Sequence, residues 1–396
     1  MSPSAGASTD SSSTPAPPDL VEVVRERLAR TPGELTPHRV AAALRGAGRP
    51  VGDATVLAVH EALRHDVVGA GPLEPLLRTP GVTDVLVNGP DQVYLDRGAG
   101  LEQVDVRLPD DEAVRRLAQR LAATAGRRLD DATPFVDARL ADGTRCHAVL
   151  APVARPGTTV SLRVPSRRPL ALDDLVAAGT VTAHGARLLT SLVRHRLAFL
   201  VTGGTGVGKT TLLAALLALV DPAERLVLVE DMSELRPDHP HVVGLEARPP
   251  NVEGAGEVTV RTLVRQALRM RPDRLVVGEV RDGSVTDLLA AFNTGHDGGC
   301  GTLHANSAAD VPARVEALAL AAGWSREATH SQLAAALDAV IHLDRRRDGT
   351  RVLREVAVPR RGRDGLVRTV PAVRFDDDGD VVLGEAAADL DRKLAP

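Results

Sequence analysis

A glycine-rich stretch between two apolar runs constrains this chain more than any other feature. Residues 197–213 read LAFLVTGGTGVGKTTLL. The first apolar run, residues 197–201, predicts a buried strand, and an apolar helical pattern begins directly after the glycines. Glycines let a backbone turn its amide groups inward around an anion, and a helix that begins there adds the positive end of its dipole. The stretch therefore predicts a phosphate-binding loop.

The loop supplies the groups that hold a nucleotide. Lys209 can reach the β- and γ-phosphates, and the Thr210 hydroxyl can hold a magnesium ion. The only other lysine is Lys393, although Lys and Arg together number 48, so a lysine here indicates a need for a compact ammonium. A glycine-rich turn that matches by chance is the alternative, and the strand before and helix after it disfavour that view. The predicted nucleotide-binding residues are Gly203, Gly204, Thr205, Gly206, Val207, Gly208, Lys209, Thr210 and Thr211.

Composition limits the partners of this chain. Its 396 residues allow two or three domains, and 43% hydrophobic with 25% charged residues is typical of a soluble globular protein. A formal net charge of -4 gives no overall attraction for nucleic acid or an anionic membrane surface. Aromatic residues make up only 2% of the chain, which leaves few platforms for stacking bases. We therefore expect no direct contact with nucleic acid.

The expected compartment is the cytoplasm. Two cysteines, Cys146 and Cys300, make no disulfide framework and suit a reducing environment. The N-terminus lacks the basic-then-apolar order of a signal peptide, and no apolar run approaches the ~18 residues of a membrane helix. We expect no transmembrane segment, so any association with a membrane goes through partners.

Residue composition and pattern divide the chain into five parts. Residues 1–19 are rich in Ser, Pro and Ala and predict a disordered tail, and residues 20–67 predict helices at 20–30, 37–45 and 54–64. Residues 68–166 predict a smaller α/β domain, with short strands, a helix at 110–128 and a strand pair around Asp142-Gly143. Residues 167–171 predict a linker. Residues 172–396 alternate strands with helices, then turn to strands and loops past residue 339; this favours an α/β fold with a mostly parallel sheet.

Acidic residues follow the predicted strand 226–230. Glu230 and Asp231 end that strand, and Glu234 follows. Ligands of open parallel sheets bind outside the carboxyl ends of the strands, so these acids can bind magnesium directly or through water. The alternative is that these acids cap a helix N-terminus or lie in the first turn of a helix.

Glu279 ends the next apolar strand, in RPDRLVVGEVRD. Phosphoryl transfer to water needs a group that orients or deprotonates the water, and a carboxylate on a rigid strand end suits that role. A surface glutamate is the alternative.

His304 ends a further strand, in GHDGGCGTLHAN. Its imidazole can touch a γ-phosphate or the water next to Glu279. A structural histidine bonded to a backbone carbonyl is one alternative. Zinc on His296, Cys300 and His304 is another, although this spacing fits no common structural zinc pattern.

Together these motifs carry a resemblance. GGTGVGKTT, VEDMSEL, RMRPDRLVVGEVR and GHDGGCGTLHANS resemble the secretion ATPases of type II and type IV systems, and most of all their TadA/CpaF branch, which powers tight-adherence pili. Agreement extends through GPLEPLL, VNGPDQVYLDR, TPFVDARLADGTR and SLRVPSRRPL, so it covers about residues 68–343. Several independent motifs in the right order are more specific than a lone phosphate loop.

The resemblance implies a RecA-like P-loop ATPase domain behind a smaller sensing domain, working as a homo-hexamer with ATP and Mg²⁺ held between the two domains. It places Lys209 and Thr210 in the phosphate loop, Glu230 and Glu234 in an acidic box, Glu279 in an atypical Walker B element and His304 in a histidine box. Arg163 is the expected cation for the γ-phosphate. The sequence departs from the family at Gly299-Cys300-Gly301, where serine and an aliphatic residue are more usual, and residues 1–67 have no secure counterpart.

The implied function is a motor that couples ATP turnover to interdomain movement and acts on inner-membrane platform proteins of a pilus or secretion system. A conjugation-type ATPase that moves DNA–protein substrates is one alternative. A RecA-like ATPase that depends on nucleic acid is another, disfavoured by the charge and the low aromatic content. A nucleotide-gated scaffold without turnover is disfavoured by Glu279.

Overall fold

The computed structural model describes residues 20, 23–24, 27, 36–49, 51–67, 69–98, 100–165, 169–250, 254–295, 297–376 and 379–395. It divides the chain into two compact units, Met1–Ser166 and Arg167–Pro396. The predicted tail, most of the predicted helix 20–30 and two linker positions, Arg167 and Arg168, lie outside the described residues.

In the described part of the first unit, the first two helices with assigned bounds are α1 (Pro37–Gly46) and α2 (Asp53–Val67). The Thr36 side chain accepts a hydrogen bond from the backbone of Arg39 at 3.3 Å, and Pro37 occupies the first turn, so both local signals start α1 where the sequence predicts it. Their apolar side chains Val40, Leu44, Val56 and Val59 form a small core together with Val24.

A six-stranded antiparallel sheet follows in the same unit. The short helix α3 (Glu74–Leu77) leads into β1 (Asp84–Gly89), β2 (Gln92–Asp96), β3 (Leu101–Val104), α4 (Asp111–Thr124), β4 (Phe135–Arg139), β5 (Arg145–Val149) and β6 (Thr159–Arg163). The strand order is β3-β2-β1-β6-β5-β4. Asp110 caps α4 by accepting from the backbone of Ala113 at 2.7 Å, and α4 buries Val114, Leu117 and Leu121 in the core that the sheet also lines.

The second unit is built on a nine-stranded sheet with helices on both faces. Its elements are α5 (Leu172–Ala177), α6 (Ala183–Arg194), β7 (Phe199–Gly203), α7 (Lys209–Leu217), β8 (Leu226–Glu230), β9 (Val242–Glu246), α8 (Val260–Ala267), β10 (Arg274–Val280), α9 (Ser284–Phe292), β11 (Cys300–His304), α10 (Val311–Ala321), α11 (Arg326–Ala336), β12 (Ala339–Arg345), β13 (Arg351–Arg361), β14 (Val367–Phe375), β15 (Val381–Leu383) and α12 (Ala387–Leu394). The order is β15-β14-β13-β12-β7-β11-β10-β8-β9. Six strands run parallel to one another: β12, β7, β11, β10, β8 and β9. The pairs β12–β13, β13–β14 and β14–β15 are antiparallel. The predicted α/β fold with a mostly parallel sheet is therefore confirmed.

The sequence does not predict two helices of this unit, α11 and α12, or its two edge strands, β9 and β15. The edge strands are short and half exposed, so they lack the apolar runs that mark β7 and β8. Helix α12 has eight residues, buries Leu390, and is held by ion pairs of Lys393 with Asp338 (2.5 Å) and of Arg360 with Asp389. Helix α11 is weakly amphipathic and buries His330, whose Nε2 lies 2.9 Å from a Glu316 oxygen. Tertiary contacts rather than local pattern therefore fix these elements.

The glycines before β11 allow close packing at the edge of the sheet where that strand begins. They precede Cys300, the first residue of β11, whereas His304 is its last, so they lie at the opposite edge of the sheet from the phosphate loop. A Cβ on Gly299 would lie 2.1 Å from a ring carbon of Phe292, and one on Gly298 would lie 2.8 Å from a guanidinium nitrogen of the buried Arg274. These glycines serve close packing of the α9–β11 connection and do not approach a nucleotide.

Replacing Gly299 by alanine should destabilise the second unit. The added methyl must displace the Phe292 ring, and such overpacking costs about 1–3 kcal/mol. In a unit of this size each kcal/mol lowers Tm by roughly 2–4 °C. Thermal unfolding followed by circular dichroism measures the change. Gly244→Ala is the matched control, because a Cβ there meets nothing within 4 Å, and an equal Tm for the two variants would contradict the packing account.

Candidate active site

Four neighbouring parallel strands end at one edge of the second sheet. In the order β7, β11, β10, β8, their last residues are Gly203, His304, Val280 and Glu230. The register pairs His304 with Gly203 and Val277 with Val229. The residues that the sequence analysis selected in this unit therefore meet at the carboxyl edge of the sheet, where ligands of such folds bind.

The loop after β7 has the backbone of an anion cradle. Gly203, Gly206 and Gly208 have φ angles of 145°, 73° and 94°, a region that L side chains rarely adopt. A Cβ on Gly203 would lie 2.4 Å from the carbonyl oxygen of Leu343. Glycine is thus required by both conformation and space at the first position of the loop.

The other loop residues divide by burial. Thr205 is exposed, Gly204 is half-buried, and Val207 packs into the core beneath the loop. Helix α7 begins at Lys209, with Thr210 and Thr211 half-buried in its first turn. The amide groups of that first turn have no partner within the helix itself and face the anion side.

Lys209 is buried at the centre of this cluster, with 7% of its surface exposed. Its Nζ donates to the carbonyl oxygens of Gly203 at 3.0 Å and Gly204 at 2.7 Å, and it lies 3.3 Å from Nδ1 of His304. Burial lowers the pKa of Lys209, whereas the charge of Glu279 raises it. The loop therefore holds the ammonium in place through its own carbonyl groups.

His304 bridges the lysine and the glutamate. Its Nε2 lies 2.7 Å from a carboxylate oxygen of Glu279, and its Nδ1 faces the Lys209 ammonium. An ammonium only donates, so Nδ1 accepts and Nε2 carries the proton that is donated to Glu279. Burial, followed by the charge of Lys209, lowers the pKa of His304, while Glu279 raises it. The imidazole is therefore neutral and links two charged groups of opposite sign.

Glu279 has both carboxylate oxygens engaged. One accepts from His304, and the other lies 3.0 Å from a guanidinium nitrogen of Arg281. Nε of Arg281 in turn lies 2.6 Å from Asp231, in the loop after β8. Arg281 was missed by the sequence analysis. The sequence signal for Arg281 is its position two residues after Glu279 in an extended stretch. Residues at that spacing place their side chains on the same face of a sheet.

Glu230 is an anchor for the loop that follows it. One of its carboxylate oxygens accepts from the backbone amides of Glu234 and Leu235, each at 3.0 Å. A Cβ on Gly278 would lie 2.6 Å from Cγ of Glu230, so glycine makes room for this side chain. Glu230 is 4% exposed, and burial raises its pKa to about 7. Glu230 therefore caps backbone amides of a loop and not of a helix. The Glu234 side chain is exposed in that loop.

Arg163 belongs to the other unit. It ends β6, where its Nε lies 3.1 Å from a carboxylate oxygen of Asp84 in β1, and its side chain is 62% exposed. The register places Arg145 of β5 directly beside it. Its predicted contact with a γ-phosphate stays a prediction.

The residues of the zinc alternative do not gather into a metal site where the structure describes them. Cys300 is fully buried in the core, and burial raises the pKa of its thiol to about 12. Within the described ranges no group of three His, Cys, Asp or Glu side chains could hold a metal ion, and His296 lies outside those ranges. None of the described helices is long and apolar enough to cross a membrane.

Comparisons with known proteins show which proteins this chain is similar to. Residues 66–359 match the family model described as type II/IV secretion system protein. The chain is 57% identical over 332 residues to a provisionally named conjugal transfer protein of Mycobacterium tuberculosis, covering 82% of this chain and 94% of that protein. It is 32% identical over 329 residues to the type IV secretion system protein PtlH of Bordetella pertussis, covering 77% and 93%. Its fold is similar to a crystal structure of the pilus retraction motor PilT with bound ADP, at a TM-score of 0.52 and 22% identity over 71% of this chain and 80% of that one.

The pKa of His304 should move in opposite directions when its two neighbours are neutralised. Lys209→Met removes a positive charge and frees Nδ1, so the pKa should rise toward its ordinary value. Glu279→Gln removes the negative charge that favours the imidazolium, so the pKa should fall further. NMR titration of ¹³C-labelled histidines measures both shifts, with His304→Asn to assign the signal. Shifts of the same sign would contradict the bridge.

Glu230→Gln should change how stability depends on pH. The folded carboxyl has a pKa of about 7 against an ordinary 4.5, so the stability that it contributes is complete below pH 4.5 and is lost as pH rises through about 7. Glutamine keeps the acceptor oxygen but does not ionise. The Tm of the variant relative to the parent should therefore increase between pH 5 and pH 8. Exposed Glu257→Gln is the control, and a difference that stays constant with pH would rule out the buried carboxyl as its source.

Proposed function

Since this chain belongs to the type II/IV secretion system protein family, we propose that it is an ATP-hydrolysing motor of a secretion or pilus-assembly system. The observation that carries the proposal is the chain of contacts Lys209–His304–Glu279 at the mouth of the glycine loop. It joins the group expected to hold phosphates to the group expected to act on water.

The residues present fit a nucleoside triphosphate with magnesium. The loop offers backbone amides, a helix N-terminus and one buried ammonium to the phosphates. The Thr210 hydroxyl and the acids after β8 are oxygen ligands of the kind that Mg²⁺ prefers. Because Glu230 already accepts two backbone amides, it and Glu234 suit contact with the ion through water. Bound magnesium supplies charge that neutralises the phosphates.

Glu279 orients the attacking water and takes its proton. Its contact with Arg281 and the hydrogen bond from the neutral His304 fix the orientation of the carboxylate from two sides. When Lys209 turns toward phosphate oxygens, His304 loses one of its two partners. Hydrolysis and phosphate release then change the contacts of the same imidazole, which gives the site a means to sense the γ-phosphate.

The coupling of turnover to movement rests on family resemblance. We propose that residues 172–396 form a RecA-like P-loop domain, residues 68–166 a sensing domain with Arg163 as its cation for the γ-phosphate, and residues 167–171 the linker. Six copies form a ring with ATP between the two domains. Rigid-body steps of the domains then act on inner-membrane platform proteins from the cytoplasmic face.

In the first proposal, the motor serves a tight-adherence type pilus. The conjugal-transfer name of the 57% identical relative favours a second candidate, an ATPase that moves DNA–protein substrates. The formal charge of -4 and the low aromatic content favour action through protein partners without direct contact with nucleic acid. A RecA-like ATPase that depends on nucleic acid is a further alternative, which a steep salt-dependent affinity for single-stranded DNA would support.

Two substitutions should separate binding from hydrolysis. Lys209→Ala should abolish both, because the phosphates lose their buried ammonium. Glu279→Gln should bind ATP with near-parental affinity while the rate of phosphate release falls about 10²-fold or more, which is the range for loss of a general base. Calorimetric titration and a phosphate-release assay measure the two quantities on the full chain.

Exposed Glu257→Gln serves as the matched control and should leave both quantities unchanged. Parental turnover in Glu279→Gln would remove Glu279 from its role. ATP binding without any turnover in the parent protein would favour the scaffold alternative.

A further inference from the structure

Two carboxylates follow each other across neighbouring strands at the carboxyl edge of the second sheet. Strands β8 and β10 are parallel, and Glu230 of β8 packs against Gly278 of β10, where a Cβ would lie 2.6 Å from Cγ of Glu230. The next residues along the two strands are Asp231 and Glu279. Two carboxylates this close repel each other unless a cation lies between them. The pair therefore requires a positive charge.

Arg281 supplies that charge and contacts both carboxylates. Its Nε lies 2.6 Å from Oδ2 of Asp231, and its Nη2 lies 3.0 Å from Oε2 of Glu279. The guanidinium is a planar fork of donors, so a partner that fixes one N–H group also fixes the direction of the others. Asp231 therefore sets the direction from which Arg281 approaches Glu279.

Arg281 is free to turn toward a bound anion if it loses this partner. Its side chain is 54% exposed. Its charge acts at His304, where it lowers the pKa of the imidazole after burial and the charge of Lys209 have done so. A triphosphate on the loop of Lys209 is strongly anionic and attracts a nearby guanidinium away from Glu279. Asp231 opposes that attraction with a negative charge of its own.

The backbone around Asp231 is anchored, so its carboxylate competes from a fixed position. Asp231 directly follows Glu230, the last residue of β8. Glu230 is buried and accepts from the backbone amides of Glu234 and Leu235, each at 3.0 Å. The loop that carries Asp231 is thus tied to the end of the strand on one side and to this buried acceptor on the other.

We propose that Asp231 is a positioning residue for ATP hydrolysis, which retains Arg281 on Glu279 when a triphosphate occupies the loop of Lys209. The inference rests on the proposed function and gives Asp231 a role other than the magnesium contact that the sequence predicts. Asp231 acts through Arg281 and touches neither the attacking water nor the phosphates. The chain of contacts from Lys209 through His304 to Glu279 thus continues through Arg281 to Asp231.

The first test removes the charge of Asp231 and keeps the size of its side chain. In Asp231→Asn we expect kcat to fall about tenfold or more, because a displacement of about 1 Å in a catalytic group can cost about a hundredfold. KM for ATP should stay the same or fall, because Arg281 turns toward the phosphates. Exposed ion pairs add little to stability, so Tm should stay at the parental value. A phosphate-release assay on the full chain measures kcat and KM.

A double-variant cycle tests whether Asp231 acts through Arg281. Arg281→Ala should lower kcat by itself, and adding Asp231→Asn should then cause no further fall. Asp231→Glu keeps the carboxylate and should restore most of the lost kcat. Asp238 is an exposed acid of the same loop, so Asp238→Asn is the matched control and should leave kcat and KM unchanged.

A magnesium titration separates this role from that of a metal ligand. If Asp231 acts through Arg281, the magnesium concentration that gives half the maximal rate should be the same in Asp231→Asn and in the parent. A higher requirement that persists in the Arg281→Ala background would make Asp231 a magnesium ligand and overturn the inference.

Two further outcomes overturn the inference alone, because the parent still hydrolyses ATP in both. One is a parental kcat in Asp231→Asn. The other is a double variant whose loss equals the product of the two single losses, since the two residues then act independently. A parent protein that releases no phosphate from ATP would overturn the proposed function, and this inference with it.

Discussion

One imidazole, that of His304, lies between a buried ammonium and a carboxylate, and the order of the sheet makes this possible. Strand β11 lies between β7 and β10, so its last residue lies between the loop that follows β7 and the end of β10. The two charged neighbours fix which nitrogen of the imidazole carries the proton, while burial and the charge of Lys209 keep the ring neutral. A change in the contacts of Lys209 can therefore reach Glu279 through two hydrogen bonds.

The surrounding structure keeps these three groups in place through close backbone approaches. The carbonyl of Leu343, on β12, presses against Gly203, and the Arg351 stem presses against Gly208. On the far side, Glu230 fills the space that Gly278 leaves and ties down the loop that carries Asp231. The site is thus enclosed by the antiparallel β12–β13 hairpin on one flank and by a capped loop on the other.

Much of this could be predicted from the sequence because the signals are local. Val201 to Thr210 alone specify strand, glycine turn and helix, since φ preferences and the helix dipole act over a few residues. Glu279 and His304 were placed at strand ends because an apolar run stops at each. Cys300 and the glycines before it lie close to His304 in the sequence but not in space. A strand of five residues separates them, and those glycines pack against Phe292 and Arg274 at the other edge.

The sequence by itself determined the α/β class, the strand, glycine turn and helix around Lys209, and the family, since each depends on residue types at fixed short spacings. Only the tertiary structure decided which nitrogen of His304 faces Lys209, that Arg281 holds Glu279, and that Glu230 is a buried anchor. These features join residues that are tens to more than a hundred positions apart in the chain. Strand order and register bring them together, and both are set by the burial of two helical layers against one sheet, which no local pattern encodes.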